Sequence, residues 1–61
     1  MNLDLYKHIY FVGIGGIGMS ALARYFNAKG MYVCGYDKVE SDLCKELESE
    51  GINIHYRVGL D

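Results

Sequence analysis

The sequence predicts an α/β fold, namely a partial Rossmann-like unit with the order β-α-β-α-β and parallel strands in the order 3-2-1. Short apolar runs alternate with segments of helical spacing, a glycine-rich loop follows the first run, and no proline interrupts the 61 residues. Strands that alternate with helices of about ten residues form parallel βαβ units with right-handed crossovers. We therefore expect one three-stranded sheet that carries both helices on the same face.

The first strand is predicted at residues 8–12, an apolar run rich in β-branched and aromatic residues. A helix is predicted over residues 19–28, where apolar residues recur at helical spacing. Gly30 suits the left-handed residue that commonly follows a helix. Among the apolar residues of this helix, we expect Tyr25 and Phe26 to lie in the core.

Residues 31–36 form a second, mostly apolar run and are predicted as the second strand. Ser41 is the expected N-cap of a second helix, and Gly51 stands where that helix should end. Residues 52–58 then alternate between apolar and polar types, which is typical of a strand with one wetter face. This alternation favours an edge position for the third strand.

The composition excludes several classes of protein. Two cysteines cannot build a disulfide scaffold or a four-cysteine zinc module, and no basic stripe could neutralise a nucleic-acid backbone. No apolar run approaches the roughly 20 residues that span a bilayer, and residues 1–7 lack the features of a signal peptide. We expect a cytoplasmic protein that binds neither nucleic acid nor membrane.

The glycine-rich segment 13–18 carries the strongest functional signal. Gly13, Gly15 and Gly18 fit the GxGxxG pattern between a strand and a helix. The pattern assigns the first glycine to a tight turn, the second to close approach of a diphosphate, and the third to helix–strand packing. A valine at Gly15 should accordingly weaken phosphate binding before it damages the fold. The alternative interpretation is a tight turn that binds no ligand.

The start of the first helix supplies the expected hydrogen-bond donors. The dipole of a helix and its free N-terminal amides attract anions. Ser20 can add a hydroxyl donor. The predicted backbone donors are the amides of Gly16, Ile17, Gly18 and Met19.

Asp37 follows the second strand and can accept hydrogen bonds from ribose hydroxyls. A carboxylate at this position disfavours a 2′-phosphate, which makes NADP a poor ligand. Asp37 could instead be a turn residue before the second helix.

The run HIYFVGIGGIGMSALA, residues 8–23, resembles the N-terminal segment of the UDP-N-acetylmuramate–L-alanine ligases of the Mur ligase family. The extra Gly16 and the Met19-Ser20 pair distinguish this loop from ordinary dinucleotide sites. The resemblance covers essentially the whole chain and continues through Gly30, Val33, Gly35, Asp37, Ser41, Leu47, Gly51 and Ile52.

The resemblance implies that residues 1–61 are the N-terminal part of a Rossmann-like domain that holds the UDP of UDP-N-acetylmuramate. Such ligases use ATP and Mg to join L-alanine to the muramoyl carboxylate in peptidoglycan synthesis. Their ATP-binding and C-terminal domains are not expected in this chain, which should be inactive alone and should hold no catalytic residue or metal ligand. The implied UDP site is Gly13, Gly15, Gly16, Ile17, Gly18, Met19, Ser20 and Asp37.

Other interpretations remain open at this point. The chain could be a dinucleotide (NAD or FAD) module of an oxidoreductase, a ligand-sensing regulatory domain, or part of a related ligase that attaches a preformed murein peptide. His8 and His55 have no nearby metal-ligand cluster in the sequence, and Cys34 and Cys44 are expected to be buried or partly buried thiols. We also expect the chain to self-associate, through its first strand or through the sheet face without helices.

Overall fold

The computed structural model describes residues 7–56 of the chain. Their order is β-α-β-α-β, as the sequence predicts. The elements are β1 (His8–Val12), α1 (Ile17–Ala28), β2 (Tyr32–Tyr36), α2 (Asp42–Ser49) and β3 (Asn53–His55).

The three strands form one parallel sheet in the order β1-β2-β3. This is the predicted order 3-2-1 read from the opposite edge, so the α/β prediction is confirmed. Val12 of β1 pairs with Tyr36 of β2, and Tyr36 pairs in turn with His55 of β3. The carboxyl ends of all three strands therefore lie together at one edge of the sheet.

Two element boundaries differ from the prediction. Helix α1 begins at Ile17, two residues earlier than expected, so part of the glycine-rich segment is helical. Strand β3 covers Asn53–His55 and is therefore shorter than the predicted strand 52–58. Residues 57 and 58 of that prediction lie outside the described residues.

The helix ends follow the expected chemistry. Gly30 after α1 has φ +88° and Gly51 after α2 has φ +98°, the left-handed region that glycine adopts without steric cost. The hydroxyl of Ser41 accepts a hydrogen bond from the amide of Cys44 at 3.1 Å, which confirms Ser41 as the N-cap of α2.

Both helices pack against the same face of the sheet and contact each other there. The buried hydrophobic cluster consists of Phe11, Ile14, Ala23, Val33, Leu47 and Ile52, and the partly buried Phe26 packs against it. The prediction that Tyr25 is also a core residue is wrong, since 55% of it is exposed. Tyr25 lies two positions after the buried Ala23 and therefore points away from the sheet. Its ring lies instead beneath the ammonium of Lys29, at 5.3 Å.

Gly35, the fourth residue of β2, shows why this position of the strand has no side chain. A Cβ at this position would lie 2.6 Å from the carbonyl oxygen of Phe11 and 2.8 Å from Cδ1 of Ile14. Ile14, in the loop after β1, is completely buried. The missing side chain thus lets the glycine loop anchor itself in the core through Ile14.

The opposite face of the sheet carries aromatic and polar side chains. The hydroxyl of Tyr10 lies 2.7 Å from Nε2 of His55, and the rings of His8 and Tyr32 meet edge to face with centroids 5.0 Å apart. Tyr10 is 53% exposed, and neither described helix packs on this face. Neither helix within residues 7–56 has the length and apolar character to cross a membrane.

Candidate functional site

The glycine loop lies at the carboxyl end of the sheet, where ligands of open α/β folds bind. Gly13 has φ +76°, which confirms the predicted turn at the first glycine. The amides of Gly13 and Ile14 both donate to the carbonyl oxygen of Tyr36, at 2.8 and 3.1 Å. The end of β2 therefore fixes the start of the loop.

Helix α1 begins without a side-chain cap. Its N-cap is Gly16, with φ −69° and ψ 154°, and no acidic residue occupies the first turn. The first bond of the helix runs from the amide of Ser20 to the carbonyl of Gly16, at 2.7 Å. The amides of Ile17, Gly18 and Met19 precede this bond and so have no intrahelical acceptor. Together with the helix dipole, they form an end suited to an anion.

Two of the predicted donors make hydrogen bonds inside the protein. The amide of Gly16 donates to the carbonyl of Gly13 at 3.0 Å. Ser20 is only 4% exposed, and its hydroxyl donates to the carbonyl of Ile17 at 3.0 Å. Either group would have to give up its present bond to donate to a ligand.

Asp37 connects the glycine loop to the segment between β2 and α2. Its Oδ2 accepts the amide of Gly15 at 2.7 Å, and its Oδ1 accepts the amide of Val39 at 3.0 Å. These two bonds, from Val39 and from Gly15, lower the pKa of the Asp37 carboxyl below its ordinary value. The bond to Val39 agrees with the alternative interpretation of Asp37 as a turn residue.

Gly15 is enclosed by atoms of the protein itself. A Cβ there would lie 2.6 Å from Sγ of Cys44 and 2.8 Å from Oδ2 of Asp37. The expectation that a valine at Gly15 would spare the fold is therefore wrong. The packing role assigned to the third glycine is also wrong, since among residues 7–56 a Cβ at Gly18 would meet no atom within 4 Å.

Cys44 is the residue near the loop that sequence reasoning missed. It is completely buried, as expected for this thiol, and its Sγ lies 3.6 Å from the carbonyl oxygen of Val39. Its sulfur also lies against Gly15, in the space that a side chain at that position would occupy. The available signal was its position three residues before Leu47, which places both residues on the buried face of α2.

The remaining candidates lie elsewhere. His8 and His55 are both exposed, and both belong to the sheet face without helices. Cys34 is partly buried in β2 and forms no disulfide with Cys44. Within residues 7–56, no three His, Cys, Asp or Glu side chains come together as a possible metal-binding group.

Comparison with known proteins identifies similar chains. A family described as Mur ligase family, catalytic domain, matches residues 8–57. A UDP-N-acetylmuramate–L-alanine ligase of Parabacteroides distasonis is 61% identical over 56 residues, which are 92% of this chain and 12% of that protein. Ligases of the same name from Flavobacterium johnsoniae and Christiangramia forsetii are 59% identical over 61 residues and 56% identical over 55 residues. These alignments cover 100% and 90% of this chain, but only 14% and 12% of the two relatives.

Proposed function

The chain belongs to the Mur ligase family, and on that premise we propose that its glycine loop binds the diphosphate of UDP-N-acetylmuramate. The binding unit would serve an ATP-dependent ligase that adds L-alanine during peptidoglycan synthesis in the cytoplasm. The names of the relatives support this reaction, and the position of the loop at the carboxyl end of the sheet supports an anionic ligand.

The uncapped start of α1 is the observation that carries the proposal. Three consecutive amides, from Ile17 to Met19, lack an intrahelical acceptor, and no carboxylate occupies the first turn of this helix. A diphosphate can accept hydrogen bonds from these amides while its charge interacts with the helix dipole. The full set proposed for the UDP site remains Gly13, Gly15, Gly16, Ile17, Gly18, Met19, Ser20 and Asp37.

We place the other steps of the reaction outside these residues. The GxxxxGK[ST] pattern that cradles ATP phosphates is absent from the 61 residues. ATP, Mg and L-alanine would accordingly bind other parts of such a ligase. Residues 1–61 would contribute substrate binding as the N-terminal part of its UDP-substrate domain, without activity of their own.

A titration followed by backbone amide NMR tests the proposal. UDP-N-acetylmuramate should shift the amide resonances of Ile17, Gly18 and Met19 with a smaller dissociation constant than NAD at the same ionic strength. The amides at the start of α2 serve as an internal control, because Ser41 already caps that helix. A stronger response to NAD would reject the ligase assignment in favour of a dinucleotide module.

We also propose that the isolated chain pairs with a second copy of itself, through the β1 edge or the sheet face without helices. Strand β1 pairs only with β2 among the described strands, and its Val12 is 66% exposed. An open edge of this kind favours pairing with another chain. Light scattering after size exclusion at tens of micromolar should give a dimer or larger species, and a folded monomer would contradict this.

A further inference from the structure

We propose that Asp37 is a positioning residue and not a ribose ligand: its carboxylate shapes the glycine loop so that the first amides of α1, and not the amide of Gly15, receive the diphosphate. This inference rests on the proposed function and refines it. It assigns the second glycine of the pattern to the protein's own structure and the anion to the helix end.

The hydrogen bonds of Asp37 supply the first argument. One carboxylate oxygen accepts the amide of Gly15 at 2.7 Å, and the other accepts the amide of Val39 at 3.0 Å. The side chain therefore joins the glycine loop, 22 residues earlier in the chain, to the segment that follows β2. The backbone amide of Asp37 also donates to the carbonyl of His55, at 3.2 Å. The residue is thus fixed to β3 while it fixes the glycine loop.

The space around Gly15 supplies the second argument. The Cα of Gly15 faces Sγ of Cys44 and Oδ2 of Asp37 so closely that a single added carbon would contact both below 3 Å. A phosphate that took the Gly15 amide would have to displace the carboxylate and then lie beside its negative charge. A phosphate that binds the amides from Ile17 to Met19 needs neither step, since these amides begin a helix that has no side-chain cap and no acidic residue in its first turn.

Backbone hydrogen bonds on either side of Gly15 supply the third argument. The amide of Gly16 donates to the carbonyl of Gly13, and Tyr36 accepts the amides of Gly13 and Ile14. The loop is therefore held at its start by β2 and in its middle by Asp37. Loss of the Asp37 carboxylate would release the middle of the loop and change the direction of the helix amides that follow it.

Two ligands separate a positioning residue from a ribose ligand: UDP, which contains ribose, and inorganic pyrophosphate, which does not. In the full chain, Asp37→Ala should weaken both by the same factor, about tenfold, the size expected when one charge-assisted hydrogen bond is lost. Asp37→Asn keeps an acceptor for Gly15 and should recover part of this loss for both ligands. Asp42→Asn removes the same charge from an exposed residue of α2 and should change neither affinity more than about twofold.

Several results would overturn the inference. If Asp37→Ala weakens UDP and leaves pyrophosphate unchanged, Asp37 contacts ribose. If the variant binds both ligands with wild-type affinity, Asp37 does not position the site, and if it binds them more tightly, its carboxylate repels the anion. If wild-type chain binds neither ligand, the proposed function itself fails, and this inference fails with it.

A measurement on the wild-type chain covers the case in which Asp37→Ala does not fold. At saturation with pyrophosphate, the amides of Ile17, Gly18 and Met19 should show the large shift changes. The amide of Gly15 should keep its protection from hydrogen exchange, because its bond to Asp37 persists. If Gly15 shows the largest shift or loses its protection, the diphosphate has replaced Asp37 and the inference is wrong.

Discussion

The two helices of this chain begin in opposite ways. Helix α2 has a serine N-cap whose hydroxyl accepts the amide of Cys44, and Asp42 occupies its first turn. Helix α1 has Gly16 as its N-cap, makes no side-chain cap hydrogen bond and has no acid in its first turn. Both helices follow parallel strands of the same sheet.

The difference shows which of the two helix starts is capped by side chains of the protein itself. The hydroxyl of Ser41 accepts one amide of α2, that of Cys44, and the charge of Asp42 interacts favourably with the helix dipole. The corresponding groups of α1 are left for a ligand or solvent. A binding site of this kind is therefore recognised by the absence of a side-chain cap and of an acidic residue at the start of its helix. Variants can reverse or remove this difference between α1 and α2.

The largest expected effect comes from Gly15→Ala. The added carbon would collide with Cys44 and Asp37, and overpacking of this type costs about 1–3 kcal/mol in the free energy of unfolding. Gly18→Ala is the matched control, because its Cβ would enter open space in the first turn of α1. It should stabilise the chain by up to about 1 kcal/mol. Urea denaturation measures both, and equal stabilities would contradict the geometry around Gly15.

Gly16→Asp should make the start of α1 resemble that of α2. The N-cap conformation of Gly16 suits aspartate, whose carboxylate can accept the amide of Gly18 or Met19. We expect unchanged or slightly higher stability, together with at least about tenfold weaker binding of UDP-N-acetylmuramate, because the new carboxylate competes with the diphosphate.

Gly16→Asn separates the two causes of that loss, since it adds the cap without the charge. Its binding should fall between those of wild type and Gly16→Asp in isothermal titration calorimetry. Wild-type affinity in Gly16→Asp would place the diphosphate away from this helix end.

Ser41→Ala should remove the cap of α2 and lower the free energy of unfolding by about 1 kcal/mol. The affinity for UDP-N-acetylmuramate should remain within about twofold, because the ligand is proposed to bind the other helix. Ser49→Ala, at the exposed end of α2, is the control and should change stability by less than about 0.5 kcal/mol. A larger loss of affinity than of stability in Ser41→Ala would show that α2 takes part in binding.

The smallest effect concerns pH. The backbone bonds from Val39 and Gly15 lower the pKa of Asp37, so the Gly15 amide shift should titrate with a midpoint below about 3.9, the ordinary value for aspartate. Because the folded pKa is the lower one, the stabilising contribution of Asp37 is present above the unfolded pKa and is lost as the pH falls through the folded pKa. A midpoint at or above the ordinary value would mean that the carboxylate does not hold Gly15.

Periodicity and glycine chemistry predicted most of the fold. The alternation of strands and helices, the cap at Ser41 and the left-handed glycines depend on local chemistry, which the sequence displays directly. The exposure of Tyr25 was missed because α1 has apolar residues on its outer face as well, including Leu22, which is 49% exposed. Helical spacing alone does not show which of two apolar faces meets the sheet.

The contacts within the site were less accessible to prediction. Asp37 was expected near the ligand, but its bond to Gly15 joins residues 22 positions apart. The support that Cys44 gives to Gly15 likewise depends on how closely α2 approaches the loop. Distances of this kind follow from the packing of three elements together, which no local pattern encodes.

Two sets of polar contacts that depend on different forces connect α1 and the loop before it with α2 and the segment before it. Near the glycine loop, Asp37 accepts hydrogen bonds from backbone amides. Farther along α1, the guanidinium of Arg24 pairs with Glu46 at 3.0 Å and with Glu50 at 2.9 Å, where all three side chains are substantially exposed. Dissolved salt screens exposed ion pairs far more than short hydrogen bonds to amides. Rising ionic strength should therefore weaken the ion pairs of Arg24 more than the hydrogen bonds of Asp37. The hydrogen bond from Nδ2 of Asn27 to the carbonyl of Glu50, at 3.0 Å, is not an ion pair and should persist beside them, so the two sets of contacts respond separately to the salt content of their surroundings.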